Sequence, residues 1–574
     1  MSKSCVFLIS PEAWGGRPRP RPDPLVGLFF VLALLFTARA PAQTYVPGPQ
    51  VLTFFSGVDD SDQPYALYLP KGFDATKKYP LVVSLHGAWS NHRLNLKRLF
   101  GRGNRPGETD AEATRLFGEL RDVNFIVASP YARGTMGYQG IAEKDVYDVL
   151  ADVKRRFPID EDRVYLTGLS MGGGGTLWLG LTRPDLWAAI APVCPAAPVG
   201  TEDLAPNALN FPVHFFHGDQ DDAVPVDVSR QWQKRLLNLD TNVEYIEYPG
   251  VRHNSWDLAY KNGAIFDWFA KYKRNRFPER VRFVTRAYKY NSAYWVQLDG
   301  LTPGMLAAID ARFTGKNRIE VTTGNIDGFT LRLAGHPSFV KTLPVHVTVD
   351  GSEKVLKPGA ALSFAKTRDV WSAEKFTPSA GVKRPGLEGP IPEAVAARHI
   401  YVFGTLGAAD KEETARRAGQ AAHAAEWSAP NLKLLLTLLA APDTDVTQAD
   451  IDSNDLVLFG NQETNQLIRR FADKLPLELN PGAADYGLMF VAPVGGRYIV
   501  VNSGLPFWTG ADGAKRPGLD FIATMPELFG TFQDFILFKG SLEHVVAEGR
   551  FDRDWKLTAA DADKIRATGA VEIR

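Results

Sequence analysis

Residues Arg163 to Gly175 read Arg-Val-Tyr-Leu-Thr-Gly-Leu-Ser-Met-Gly-Gly-Gly-Gly, and they place one serine where its hydroxyl could act as a nucleophile. Val164 to Leu166 predict a β-strand, and a helix is expected to open at Met171. Between them Gly168-x-Ser170-x-Gly172 has the pattern of a nucleophile elbow. A strand-to-helix turn this tight strains the serine backbone and exposes its Oγ. Side chains two positions to either side would collide, so glycine is required there. The helix start offers free N–H groups and the positive end of a dipole where an oxyanion would form. A glycine-rich loop with an incidental serine would share the pattern, because the chain has 51 glycines. The β-branched and aromatic residues before the turn, and the apolar Thr176-Leu-Trp-Leu-Gly-Leu after it, favour a strand and a buried helix instead.

A free serine is a poor nucleophile. It needs an imidazole to take its proton and an acid to hold that imidazole in the right tautomer. Both follow in the chain. The apolar run Phe211 to Phe216 ends in His217-Gly-Asp-Gln-Asp-Asp-Ala-Val-Pro225, a strand stopping in an acidic turn. The next strand, Val243 to Tyr248, stops at Pro249-Gly-Val-Arg-His253. His253 is the expected base, placed just before an amphipathic helix from Ser255 to Tyr272. His217 precedes the acids and is expected to brace their turn. Asp219, Asp221 and Asp222 compete for the role of the acid, and spacing alone does not choose among them. The oxyanion hole needs a second N–H from the loop after an earlier strand. Tyr79 to Leu85 reads as that strand and His86-Gly-Ala-Trp89 as the loop, so Ala88 or Gly87 would join Met171.

With these pieces together the chain resembles the secreted α/β-hydrolases grouped with prolyl oligopeptidase-like catalytic domains, polyhydroxybutyrate depolymerases and feruloyl or acetylxylan esterases. The matching segments are Leu85-His-Gly, Ser129-Pro-Tyr-Ala-Arg-Gly134, Asp145 with Val149 to Val153, Ile159 to Gly173, His217-Gly-x-x-Asp221-x-x-Val-Pro225 and Gly250-Val-Arg-His253. The resemblance spans about residues 50 to 275. It implies an α/β-hydrolase fold and makes Asp221, fifth in the His-Gly run, the acid. Many relatives carry further glycines after His-Gly, whereas this chain has Ala88-Trp89, which would let Trp89 line the acyl pocket. Tyr138 and Trp256 lie near the same loops in sequence and are the other expected pocket aromatics; Trp178 reads as core packing.

The chain of 574 residues is too long for one ordinary domain. Its 65 basic and 65 acidic residues balance, which speaks against nucleic acid as a partner. Arg17, Arg19 and Arg21, the apolar run Leu25 to Phe36 and Ala40-Pro-Ala42 have the layout of a signal peptide over residues 1–42, so a secreted or periplasmic protein with no stable membrane span is expected. Cys5 would leave with it. Cys194 would remain, without a disulfide partner, buried and inert. No Cys/His cluster suggests a metal, and neither GxGxxG nor GxxxxGK[ST] is complete, so no cofactor is expected.

The catalytic domain is expected over 43–275. Beyond it, short alternating segments (Val281–Arg286, Tyr294–Leu298, Ala307–Phe313, Arg318–Thr322, Phe329–Leu333, Pro344–Val349) predict a small antiparallel β domain, sandwich or barrel, over 276–350. Residues 351–397, rich in Gly, Pro and Lys, read as an irregular connector with an edge strand near Ala361 to Phe364. From 398 to 574 strands again alternate with helices and predict a small α/β layer. Its Gly460-Asn-Gln-Glu-Thr-Asn465 is either an anion-binding helix start or, the reading we favour, a capped βα turn.

The expected activity is hydrolysis of carboxylic esters through an acyl-enzyme, on a small-molecule or polysaccharide-linked ester. Prolyl oligopeptidases carry a large propeller ahead of the catalytic domain as a size filter. Few residues precede Tyr79 here, which favours ester over peptide hydrolysis. A serine peptidase would use the same residues, and a binding protein on a hydrolase scaffold is the alternative of another class.

Overall fold

The computed structural model describes residues 45–516 and 524–574. The expected signal peptide lies outside the described residues. The first part of the chain builds one eight-stranded sheet: β1 (Gly48–Ser56), β2 (Ser61–Leu69), β3 (Tyr79–Leu85), β4 (Ile126–Pro130), β5 (Ile159–Leu169), β6 (Ala189–Val193), β7 (Val213–Gly218) and β8 (Val243–Tyr248), in the order β1-β2-β4-β3-β5-β6-β7-β8. β1 and β2 form an antiparallel hairpin, β2 meets β4 antiparallel, and every pairing from β4 to β8 is parallel. β3, β4, β6 and β7 are buried along their whole length, as expected of parallel strands covered on both faces. This explains why Tyr79 to Leu85 and Phe211 to Phe216 read as largely apolar runs.

The register brings the carbonyl ends into line. Leu85 stands beside Gly168, Leu169 beside Val193, and Gly218 beside Tyr248. In an open parallel sheet this edge is where ligands bind. The loops after β3, β5, β7 and β8 therefore share one rim.

Two departures from the sequence reading concern helices and boundaries. The single amphipathic helix expected over Ser255 to Tyr272 is broken into Trp256–Ala259, a 3-10 turn at Lys261–Gly263 and Ala264–Phe269. Asn262 and Gly263 both adopt positive φ (54° and 70°), which no continuous right-handed helix allows. The β domain is a sandwich of two five-stranded sheets and extends past residue 350: Ser352–Leu356, Ala361–Thr367 and Val370–Ser372 are strands of it. Ser352–Leu356 is an edge strand with no buried residue, so it shows no apolar alternation. Its central strands do alternate, and Phe283, Ile309, Val321, Phe329 and Val347 meet in its core.

The last part of the chain is larger than the small layer expected. Seven strands form one mixed sheet in the order Leu439–Pro442, His399–Phe403, Asp455–Phe459, Arg497–Gly504, Tyr486–Val494, Phe535–Lys539 and Val545–Gly549. The first four are parallel and the rest are added antiparallel. Its core includes Val58 and Ile141 from the first domain, so the two share one buried cluster. The Gly460–Asn465 turn is a capped turn. Asn465 accepts from Leu467 N–H and Ile468 N–H, and the Asp443 carboxylate accepts from Gln466 N–H, so a carboxylate of the chain already occupies the helix start. Among the described residues no helix is long and apolar enough to cross a membrane.

Buried polar bonds hold the sandwich to the first domain. The Asn207 amide donates to Leu181 O (2.8 Å) and Val284 O (2.9 Å) and accepts from Val284 N–H (2.7 Å), standing in for a strand neighbour. Glu143 accepts from the Tyr290 hydroxyl (2.7 Å) and the Trp178 indole (3.1 Å), which puts Trp178 in the packing between domains. Asn207→Ala strands buried backbone groups on both sides. It is expected to lower stability by about 3 kcal/mol, read as a fall in the thermal midpoint, and an unchanged midpoint would contradict this account.

Candidate active site

The elbow is held in a conformation that non-glycine residues rarely adopt. Ser170 has φ +56° and ψ −118°, between the end of β5 and the helix Met171–Thr182. The flanking glycines are forced by contact. A Cβ on Gly168 would stand 2.3 Å from Gly172 O, and one on Gly172 would stand 2.3 Å from Leu85 O. The turn is pinned by Ser170 N–H donating to Val193 O (2.9 Å), while Ser170 O accepts from Gly174 N–H and Ala196 N–H (3.0 and 3.1 Å).

Three rim loops deliver a relay. Ser170 Oγ lies 2.9 Å from His253 Nε2, and His253 Nδ1 lies 2.8 and 3.0 Å from the two oxygens of Asp221. The structure separates the three competing acids. Asp219 accepts from Gly250 N–H at 2.7 Å and so ties the turn after β7 to that after β8. Asp222 faces outward and pairs with Arg252. Asp221 alone of the three reaches the imidazole. It also accepts from Ala223 N–H and Val224 N–H at 2.9 and 2.8 Å.

His217 braces this turn, as its position suggested. Its Nε2 lies 2.9 Å from Val224 O, which can only accept, so Nε2 carries the proton and leans also toward Asp221 Oδ2 at 3.2 Å. Its Nδ1 then accepts from the Ser229 hydroxyl at 2.7 Å. Burial pushes the Asp221 carboxyl up, but the hydrogen bonds from His217, His253, Val224 and Ala223 outweigh it and hold it well below the usual range. Burial alone would lower His253; the hydrogen bond to the Asp221 carboxylate at Nδ1, joined by the neighbouring Cys194 side chain, prevails and raises it to about 10.

The loop after β3 lies alongside. A Cβ on Gly87 would be 3.4 Å from the Ser170 Cβ, so Gly87 stands beside Ser170. Trp89 is 45% exposed at the rim, with φ +57°. The Trp256 ring meets His253 edge to face, centroids 5.3 Å apart, and the Arg98 guanidinium lies over the Trp256 ring at 5.5 Å. Tyr138 is a correction. It is wholly buried beneath the elbow, its ring against Gly175 and its hydroxyl donating to His86 O at 2.9 Å, so it supports the rim instead of lining a pocket. Its nearness in sequence was a poor guide: Tyr138 is buried although Gly137 and Gln139 on either side of it are not.

Cys194 is buried and its thiol donates to His253 O at 3.5 Å. Its sulfur, an Asp221 oxygen and a His253 nitrogen lie within 4.8 Å of one another, but each is committed to the bonds just given. Sequence reasoning passed over Thr135 and Lys433, which touch the Trp89 backbone. Lys433 is 344 positions away and no local pattern marks it.

Residues 142–261 match a family described as Phospholipase/Carboxylesterase. Among solved structures, a thermostable esterase is similar at 27% identity over 39% of this chain, with TM-score 0.32; the match spans 63% of that esterase, under two thirds of its length. A CE1 ferulic acid esterase from the anaerobic fungus Anaeromyces mucronatus is similar at 20% identity over 39% of this chain and 93% of its own, TM-score 0.30. A putative dipeptidyl aminopeptidase IV from Bacteroides ovatus is similar at 20% over 39% of this chain and 35% of its own, TM-score 0.30. The fold is that of the α/β-hydrolases, with further β-sheet domains after it. The segment that carries Ser170, Asp221 and His253 is the one that matches the Phospholipase/Carboxylesterase family.

A general base must be neutral to accept a proton. Because Asp221 raises His253, the neutral form is lost at a higher pH than for an ordinary imidazole. The acidic limb of kcat/KM should therefore have its midpoint well above 6.5, and Asp221→Asn should move it down while lowering the plateau. A wild-type midpoint at or below 6.5 would contradict this coupling.

Proposed function

We propose that the protein is a serine hydrolase that cleaves carboxylic esters through an acyl-enzyme. The observation that carries this reading is the continuous path Ser170 Oγ, His253, Asp221, with contacts of 2.9 and 2.8 Å, at the carbonyl edge of a parallel sheet. His253, oriented by Asp221, takes the Ser170 proton as Oγ attacks the ester carbonyl. The oxyanion is held by the N–H groups of Met171 and Ala88, with Gly87 allowing the close approach. The imidazolium then protonates the leaving alcohol, and the same imidazole activates water to release the acid.

Trp89, exposed on the loop after β3, and Trp256, packed against His253, offer aromatic rings that would suit phenolic acyl groups or the sugar part of a carbohydrate-linked ester. The amino-terminal layout supports a secreted or periplasmic location, where such esters would be met. No nucleic-acid partner is proposed, given the balanced charge.

The test is turnover of p-nitrophenyl acetate and butyrate by the full chain beside Ser170→Ala. Loss of turnover by about a thousandfold or more in the variant is expected. Cleavage of peptide anilides without ester turnover would replace this reading with a peptidase. Equal turnover by both proteins would remove Ser170 from the chemistry.

A further inference from the structure

Segments far apart in the chain meet behind the loop that follows β3. Ser90 N–H donates to Gly87 O at 3.2 Å and closes a four-residue turn with Trp89 in its third position. That position suits glycine, and a tryptophan at φ +57° is strained there. Such strain persists only where the surroundings over-determine it.

Here both backbone polar groups of Trp89 are tethered. Its N–H donates to Thr135 Oγ1 at 2.7 Å, and its carbonyl accepts from the Lys433 ammonium. The tethers are themselves fixed to each other. Thr135 N–H donates to Leu432 O at 3.1 Å, and the Tyr131 hydroxyl donates to Lys433 O. The buried His86 ring bridges the same two loops, with Nδ1 2.8 Å from Gly87 O and Nε2 2.8 Å from Tyr131 O. Lys433 sits at the tip of a small hairpin, closed by Ala429 against Leu434, that belongs to the seven-stranded domain; its own φ is +56°.

We propose that Lys433, from the last domain, is a positioning residue for the oxyanion hole. Thr135 fixes the peptide plane before Trp89 and Lys433 the one after it. Together they hold Trp89 left-handed, and with it the aim of the Ala88 N–H one residue upstream. A charge-assisted bond is suited to this because it is directional and strong at a partly exposed rim. The inference rests on the ester-hydrolase reading above. It adds that the catalytic centre is not complete within residues 43–275: the accessory domain supplies part of its geometry.

A donor that drifts by a fraction of an ångström loses transition-state stabilisation and leaves ground-state binding intact. Lys433→Met in the full chain is therefore expected to lower kcat for p-nitrophenyl butyrate by about 10- to 100-fold with KM within about twofold. Lys433→Arg, which keeps a cationic donor, should recover most of the loss. Thr135→Val releases the other side of the same residue and should show the same kcat-selective loss, a second route should Lys433→Met not fold.

Wild type and Ser170→Ala run beside these variants. If the wild type shows no Ser170-dependent turnover, the functional reading and this proposal fall together. If it does, and Lys433→Met matches wild type in kcat, this proposal falls alone. A raised KM at unchanged kcat would also overturn it, pointing to direct contact between the ammonium and the substrate. So would a loss that Lys433→Arg does not relieve.

Discussion

Ser170 occupies a backbone conformation that costs free energy, and the neighbourhood of the site is built to hold it there. Gly168 and Gly172 let β5, the following helix and the end of β3 come together with no side chain between them. Val193, Gly174 and Ala196 then saturate the serine's own amide and carbonyl. Once that turn is set, the hydroxyl projects above the rim, and the strand order decides what can reach it. β7 and β8 lie on one side of β5 and β3 on the other, so Asp221 and His253 approach from one flank and the loop after β3 from the opposite one.

The same principle recurs one layer out. Asp221 is aimed by two amides of its own turn and by His217, which is in turn held by Ser229 and Val224 O. His86, wholly buried, spans Gly87 and Tyr131. Arg133, two residues on, is buried between Asp59, Asp145 and Ser56, at 2.6 to 2.7 Å from each. These groups contact no reacting atom. They remove alternatives for the groups that do, which is how a site keeps its geometry without moving when charge develops.

The reach of the sequence follows from which interactions are local. β3, β7 and the second half of β5 were readable because buried parallel strands are largely apolar, and β8, which has no buried residue, by its Val, Tyr and Ile; Ser170, Asp221 and His253 each stand just past one of β5, β7 and β8. Asp221 was not separable from Asp219 and Asp222 by spacing, since all three share one turn; what divides them is the direction each carboxylate takes toward Gly250, His253 or Arg252. The helix expected through Ser255 to Tyr272 has the right periodicity, yet Asn262 and Gly263 turn left-handed in the middle. Ser352–Leu356 was read as connector because an exposed edge strand has no apolar face to show. Tyr138 was misplaced for the converse reason: closeness along the chain to Tyr131 and Gly134 says nothing about depth.

Val58 and Ile141 lie in the buried cluster of the seven-stranded domain, alongside Leu387, Tyr401, Leu434 and Leu436. During synthesis the ribosome will have released Ser170, Asp221 and His253 long before it makes those covering residues. Until then Val58 and Ile141 lack the apolar side chains that cover them. The chain therefore ripens late: its chemistry is encoded early, but the surface that seals it arrives with the last third of the polypeptide. A nascent chain ending near residue 275 would carry Ser170, Asp221 and His253 with Val58 and Ile141 still uncovered.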